Sequence, residues 1–373
     1  MIDTIKLVIK MDKPLQARAN FQPTLDSINP DYFGYFKAVS NPSAAYKKLG
    51  KYQPRLTYTQ RPRGYKRASY ELAIELSLPK IAFGNNFDEL TNADYSLVIS
   101  QLQLTLREMG VWLFTKQIDQ AEVRALHYSK NFVFNDYTSC SAVLQMLRTA
   151  DISKTYDVQN TDFRNGGYVL HVHTNSLDIA IYDKLADLRQ SKVSEKRTQE
   201  KDNFVQLDLL DQLARTQPVA VMRYEVRLNG KKKITDALNA VGFDEPLTFK
   251  NVFSAELAKA LLQHHWQNFF SNLPKLALDS NDPHKVLANI LQTDELKGPQ
   301  QAAARLGMAL LLTKADQRHV RALFEDRFGK HAWSRLKPLT KPTQKVQYKT
   351  IVGINQMFEQ FEPTVMDQIK GSL

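Results

Sequence analysis

The sequence predicts an α+β protein: a mostly antiparallel sheet with helices on one face, followed by a smaller all-helical C-terminal domain. Three observations predict it. Several segments alternate apolar and polar residues with a period of two, two apolar runs flank a short polar turn, and after about residue 236 the pattern changes to helical spacing. The division this implies is an α+β domain over residues 1–235 and a helical domain over 236–373.

The amino-terminal run through Ile9 reads as a first strand rather than a signal peptide. Residues 46–67 interleave cations with tyrosines and turn formers, as a solvated hairpin or as a strand pair or loop touching phosphates and bases would. From Tyr70 to Leu78 the alternation is strict, with Tyr70, Leu72, Ile74, Leu76 and Leu78 on one face and Glu71, Ala73, Glu75 and Ser77 on the other; Pro79 ends this strand. Apolar residues at helical spacing over 88–109 predict a helix capped by Gly110. A strand over 122–134 and a helix over about 138–149 follow.

Residues 167–183 read as a hairpin turning at Thr174-Asn175-Ser176, followed by a charged helical stretch over about 184–214. The strand from Val221 to Leu228 is stopped by Asn229-Gly230 and the run Lys231–Lys233. Beyond it, helices are expected over 254–270 and 299–312, and 298–336 has the pattern of a helix-turn-helix pair.

At 373 residues and 43% hydrophobic content the chain can bury a core in each domain. No run approaches the roughly 18 apolar residues of a membrane span, so no membrane partner and a cytoplasmic location are expected. The single cysteine, Cys140, excludes an internal disulfide or a thiolate cage and reads as a buried, inert thiol. Fifty Lys and Arg against 39 Asp and Glu give +11, which favours a polyanionic partner such as nucleic acid.

Chemistry-bearing side chains fall on the polar face of the expected sheet. Glu75, His127 and Glu225 each stand opposite an apolar stripe, and two carboxylates with an imidazole suit Mg²⁺ or Mn²⁺. Tyr182 shares a face with Asp178, Ala180 and Lys184, so a phenol and an ammonium project together. A free phenol is ionised at about one part in a thousand at neutral pH, so a nucleophilic Tyr182 needs a cation such as Lys184 beside it. Arg223 and Arg227 flank Glu225 as phosphate clamps. His171 and His173, spaced by Val172 on one strand face, are alternative metal ligands.

Tyr70 to Asn86, Ala125 to Asn131, Ser176 to Leu188 with its Tyr182-Asp-Lys184, and Met222 to Leu228 with Arg223-Tyr-Glu225-Val-Arg227 resemble, in this order, the gene II/X replication initiators of filamentous phages and their plasmid and prophage relatives. The resemblance covers about residues 1–240. It implies a rolling-circle nicking domain, a metal-dependent endonuclease and strand transferase, and Tyr182 as the residue that becomes linked to the 5′ phosphate. It also implies metal roles for Glu75 and Glu225, and as partners origin DNA, a host helicase and a host polymerase. Where phage relatives carry Asp in the middle strand this chain has His127, and the position four after Tyr182 is Ala186 rather than a second tyrosine. A single tyrosine at the site implies a homodimer, in which a second subunit supplies the nucleophile for the closing step. The competing expectation is a non-catalytic origin-binding protein or copy-number regulator with the same fold.

Overall fold

Alternating side chains give a strand one face for a core and one for solvent, and nine such strands join in one sheet of the computed structural model. It describes residues 1–15, 20–27, 31–42, 46, 49, 51–65, 67–134, 139–148, 157–162, 168–190, 220–272, 287–288, 290–291, 296–314, 317–340 and 349–365. The strands are β1 (Ile2–Met11), β2 (Phe36–Ser40), β3 (Arg55–Pro62), β4 (Ala68–Ser77), β5 (Glu122–Phe134), β6 (Asp157–Asp162), β7 (Tyr168–His173), β8 (Leu177–Asp183) and β9 (Ala220–Asn229). Their order is β2-β3-β4-β1-β5-β9-β8-β7-β6, and every pairing is antiparallel. The expected α+β class with an antiparallel sheet is therefore observed.

Twelve helices accompany the sheet among the described residues: α1 (Leu78–Phe83), α2 (Tyr95–Glu108), α3 (Thr115–Asp119), α4 (Cys140–Arg148), α5 (Lys184–Gln190), α6 (Lys231–Asn239), α7 (Phe249–Val252), α8 (Ala255–Asn272), α9 (Pro299–Lys314), α10 (Gln317–Phe328), α11 (Ala332–Leu336) and α12 (Lys349–Gln360). None is long and apolar enough to cross a membrane.

The apolar face of the sheet, with Ile74 of β4, Leu126 of β5, Ile179 of β8 and Val226 of β9, is completely buried beneath these helices. Helix α2 contributes Val98, Leu102 and Leu106, and α4 contributes Val143, Leu144 and Leu147. Each such side chain removed from water is worth roughly 1.5–3 kcal/mol. Cys140 sits in the same core, where burial pushes its thiol pKa well up, as expected of an inert cysteine.

Local differences from the expected elements have identifiable causes. Pro79 does not merely end β4: it opens α1 at a position where the missing N–H has no helical partner to lose. The helix expected from residue 88 begins at Tyr95, after a 3-10 turn over Asn92–Asp94 in which Asp94 Oδ2 accepts from the Thr91 amide at 2.7 Å. Gly110 takes φ +80° just after α2, as a terminating glycine does. The strand stops at Asn229, and the Lys231–Lys233 run that follows starts α6. Of the helix expected over 184–214, α5 is described; residues 191–219 lie outside the described residues.

The C-terminal region is helical as expected, and α9 to α11 surround a cluster of their own that includes Ala309, Leu312, Val320 and Trp333. The main core nevertheless continues past residue 235. Trp266 of α8 and Phe358 of α12 pack against Phe132 of β5 and Tyr224 of β9, with the Phe358 ring centroid 4.9 Å from Phe132 and 5.6 Å from Trp266. Phe358→Ala is expected to destabilise the fold by about 3–5 kcal/mol, read as an earlier denaturation midpoint for the sheet itself. A sheet transition at the parent's midpoint would place α12 outside that cooperative unit.

Candidate active site on the polar face of the sheet

Register brings the polar residues of three neighbouring strands into rows. Asn131, Arg223 and Tyr182 form one row across β5, β9 and β8; Ser129, Glu225 and Ala180 form the next; His127, Arg227 and Asp178 form the third. Small neighbours on both sides of Glu225 leave room for long side chains from the adjacent rows to reach its carboxylate. Tyr182 donates its hydroxyl to Glu225 Oε1 at 2.6 Å. Arg227 donates from Nε to Glu225 Oε2 at 2.8 Å and from Nη1 to Asp178 Oδ2 at 3.1 Å.

These contacts set the charge states. Burial would raise the Glu225 carboxyl, but Arg227, Arg223 and the Tyr182 hydrogen bond together hold its pKa down to about 2. Burial and the neighbouring Glu225 carboxylate push the Tyr182 phenol well above its ordinary value. Lys184 is completely enclosed, and burial together with Arg223 lowers its pKa to about 7. Its Nζ lies 6.0 Å from the Tyr182 ring centroid. Burial and Arg227 lower the His127 pKa, which favours the neutral imidazole.

Of the residues expected at the site, Tyr182, Lys184, His127, Glu225, Arg223 and Arg227 are brought together. Glu75 is not. It lies on β4, separated from β9 by β1 and β5, so the two backbones are roughly 14 Å apart at ordinary strand spacing. Its half-exposed carboxylate stands 3.9 Å from Lys6 instead. The expected metal set of Glu75, His127 and Glu225 therefore does not assemble, because the amino-terminal strand is inserted between the strands that carry it.

As arranged, the cluster does not fit a divalent cation. Both oxygens of Glu225 are engaged, one by a phenol and one by a guanidinium, and Arg223, Arg227 and Lys184 add positive charge around them. Among the described residues no group of three or more His, Cys, Asp and Glu side chains is arranged to hold an ion. His171 Nδ1 lies 3.2 Å from Asp178 Oδ1, and His171 and His173 line an open cavity of about 400 Å³ at the turn between β7 and β8.

Arg223 also differs from expectation. It is 2% exposed, and its guanidinium is held by Asn131 Oδ1 at 2.8 Å, the Asn86 carbonyl at 2.6 Å and Asp3 Oδ1 at 3.4 Å. It is closed in by these partners, while Arg227, with 28% of its side chain exposed, is the more open of the two arginines. Asp3, Asn131 and Asp178 carry no motif that assigns them these contacts; Asp178 shows only its shared face with Tyr182.

A second buried carboxylate positions Asn131. Glu89 accepts from Lys130 Nζ at 2.6 Å, from the Asn131 amide at 2.5 Å and from the Thr364 amide at 2.9 Å. Burial would raise its pKa, but Lys130 and these hydrogen bonds keep it below the usual value. The chain matches no protein-family model, no curated protein and no solved structure.

The buried amine of Lys184 yields a signed pH prediction. With a folded pKa near 7 against an ordinary 10.5, the unfolded chain binds the extra proton between these values. Stability therefore rises with pH across that window, and the full cost, at most about 5 kcal/mol, is present below pH 7. Lys184→Met is expected to melt higher than the parent at pH 6, with the gap closing toward pH 10. A variant that melts lower at pH 6 would mean the ammonium is a net stabiliser.

Proposed function

We propose that this chain nicks and rejoins one strand of origin DNA to start replication, with Tyr182 as the nucleophile and a 5′ phosphotyrosyl intermediate. The observation that supports this reading is the 2.6 Å contact between Tyr182 and Glu225 among Lys184, Arg227 and Arg223: a phenol set in a cluster rich in cations. The ordered resemblance to gene II/X initiators supports it from a separate direction.

In the resting arrangement the phenol is 8% exposed and engaged by Glu225, so it is not yet a nucleophile. A scissile phosphate entering beside Arg227 competes with Glu225 for that guanidinium and lets the Tyr182 hydrogen bond open. The phenol proton passes to the neutral amine of Lys184, and Tyr182 Oη forms a bond to phosphorus as the bond from phosphorus to the 3′ oxygen breaks. The Lys184 ammonium returns the proton to that leaving oxygen. The product is a free 3′ hydroxyl that a polymerase extends, and the phosphotyrosyl link conserves the bond energy for rejoining.

The burial of Tyr182 favours a second reading, a non-catalytic origin-binding protein in which this tyrosine is a packing residue. One experiment separates the two. Supercoiled plasmid carrying the element's own origin is incubated with the protein in buffer containing Mg²⁺ or Mn²⁺, and nicked circles and protein-linked DNA are scored. Nicking requires both products from the parent and a loss of at least about a thousandfold in Tyr182→Phe with its melting transition retained. A Tyr182→Phe variant as active as the parent would remove Tyr182 from the role, and a parent yielding neither product would leave the binding protein.

A further inference from the structure

The charge of this chain is unevenly placed. Between Asp31 and Glu71 there is no acidic residue, and the 39 residues from Tyr32 to Tyr70 hold nine Lys and Arg. This leaves 41 Lys and Arg against 39 Asp and Glu in the rest, so nearly the whole net charge of +11 sits in one segment. In the fold that segment supplies β2 and β3, the edge of the sheet, and the turn into β4.

The turn has a shape of its own. Pairing of β2 with β3 stops at Phe36 and Gln60, and pairing of β1 with β4 stops at Met11 and Tyr70. The β3–β4 ladder runs on without them through Arg61 with Ser69 and Pro62 with Ala68, and the Arg63 amide closes the turn on the Arg67 carbonyl at 2.8 Å. Residues 61–65 and 67–69 thus form the two sides of a ribbon that outruns both neighbouring strands. Four residues past its root at Gln60 it extends roughly 13 Å. Gly64, at φ +78°, supplies the left-handed conformation at the tip.

Arg61, Arg63, Tyr65 and Arg67 on this ribbon are exposed, Tyr65 to 88%. Arg61 approaches Glu71 only at 4.0 Å, and neither Arg63 nor Arg67 meets a carboxylate among the described residues. A major groove about 12 Å wide and 8.5 Å deep admits a two-stranded ribbon, and arginine is the side chain best matched to guanine edges and phosphates within it.

We propose that the β3–β4 ribbon is a duplex-DNA contact that enters the major groove, with Arg63 and Arg67 at its tip and Arg61 at the flanking backbone. This rests on reading the chain as a DNA-acting protein but not on Tyr182 being a nucleophile. The ribbon would hold double-stranded DNA against the sheet edge, apart from the cluster around Glu225.

The test is binding of the full chain to a fluorescent 30-base-pair duplex from about 50 to 200 mM salt, by anisotropy. It compares the parent, Arg63→Gln/Arg67→Gln, and a control of equal charge change, Arg107→Gln/Lys116→Gln, whose residues are exposed on α2 and α3. Each phosphate contact contributes about 0.9 to the slope of log affinity against log salt, so the ribbon pair is expected to lower that slope by up to about 1.8. Its affinity should fall at least about tenfold at 150 mM, while the control stays within about twofold. Methylation protection should place the parent over guanine N7, a major-groove atom, and this protection should vanish in the ribbon variant.

Equal losses in the two variants, an unchanged slope, a parent that binds oligo(dT) as tightly as duplex, or a parent that binds no duplex would each overturn the inference. A parent that nicks its origin while the ribbon variant binds normally removes this inference alone. A parent that grips duplex through the ribbon but never forms protein-linked DNA removes the catalytic reading and leaves the ribbon in place.

Discussion

The cluster depends on keeping one carboxylate charged inside the protein. Glu225 is 3% exposed, and an isolated ion in such a place costs several kcal/mol of lost hydration. What offsets that cost is a fixed set of donors: Arg227 on one oxygen, Tyr182 on the other, and Arg223 Nη1 4.0 Å away. Each donor comes from β8 or β9, so the demand of the carboxylate also pins the register between them. A one-residue slip of β8 would turn Tyr182 and Asp178 toward the apolar face and leave one oxygen of Glu225 without its phenol, while Arg227, on the same strand as Glu225, would stay with it.

That constraint extends across the sheet. Arg223 is held by Asn131, whose amide is held by Glu89, whose other oxygen holds Lys130 and Thr364. Lys130 and Asn131 are consecutive in β5 and point to opposite faces, so Glu89 is anchored to the covered side while Asn131 serves the polar side. The site is therefore braced against residues 362–364, far away in sequence. The aromatic contacts of Phe358 and Trp266 with β5 and β9 supply apolar continuity in the same place. Bracing of this kind would hold Tyr182 in one position for the proposed attack.

The sequence made much of this legible because period-two alternation assigns faces within a strand. Counting from Val226 and Ile181 puts Glu225, Arg227 and Tyr182 on a polar face, and the flanking apolar runs mark the β7–β8 hairpin with its turn at 174–176. Alternation does not say which strands are neighbours. Glu75 satisfies the same face rule as Glu225, yet β1 and β5 stand between them. Nor does it report depth: Arg223 and Arg227 are two residues apart and look equivalent, but one is sealed by Asn86 and Asp3 while the other is partly open. Strands β2 and β6 are short or polar and gave no periodic signal.

The electrostatic layout separates attraction from chemistry. In the cluster, Glu225, Asp178 and Asp3 stand against Arg223, Arg227 and Lys184, and with Lys184 about half-protonated at pH 7 the local charge nearly cancels. Such a site has little long-range pull on a polyanion, and within a Debye length of about 8 Å at physiological salt its partial charges act only on what is already in place. The acid-free edge from β2 to the turn into β4 has the opposite character: it carries nine cations and no acid, and Lys37, Lys51, Arg55, Arg61, Arg63 and Arg67 are exposed. A polyanion would be gathered at the edge and held there by charge, while the buried cluster remained closed until a single phosphate reached Arg227. On the proposed reading, this division would let Tyr182 stay protonated and hydrogen-bonded in the free protein, so that its reactivity would be coupled to the presence of a substrate rather than to its own pKa.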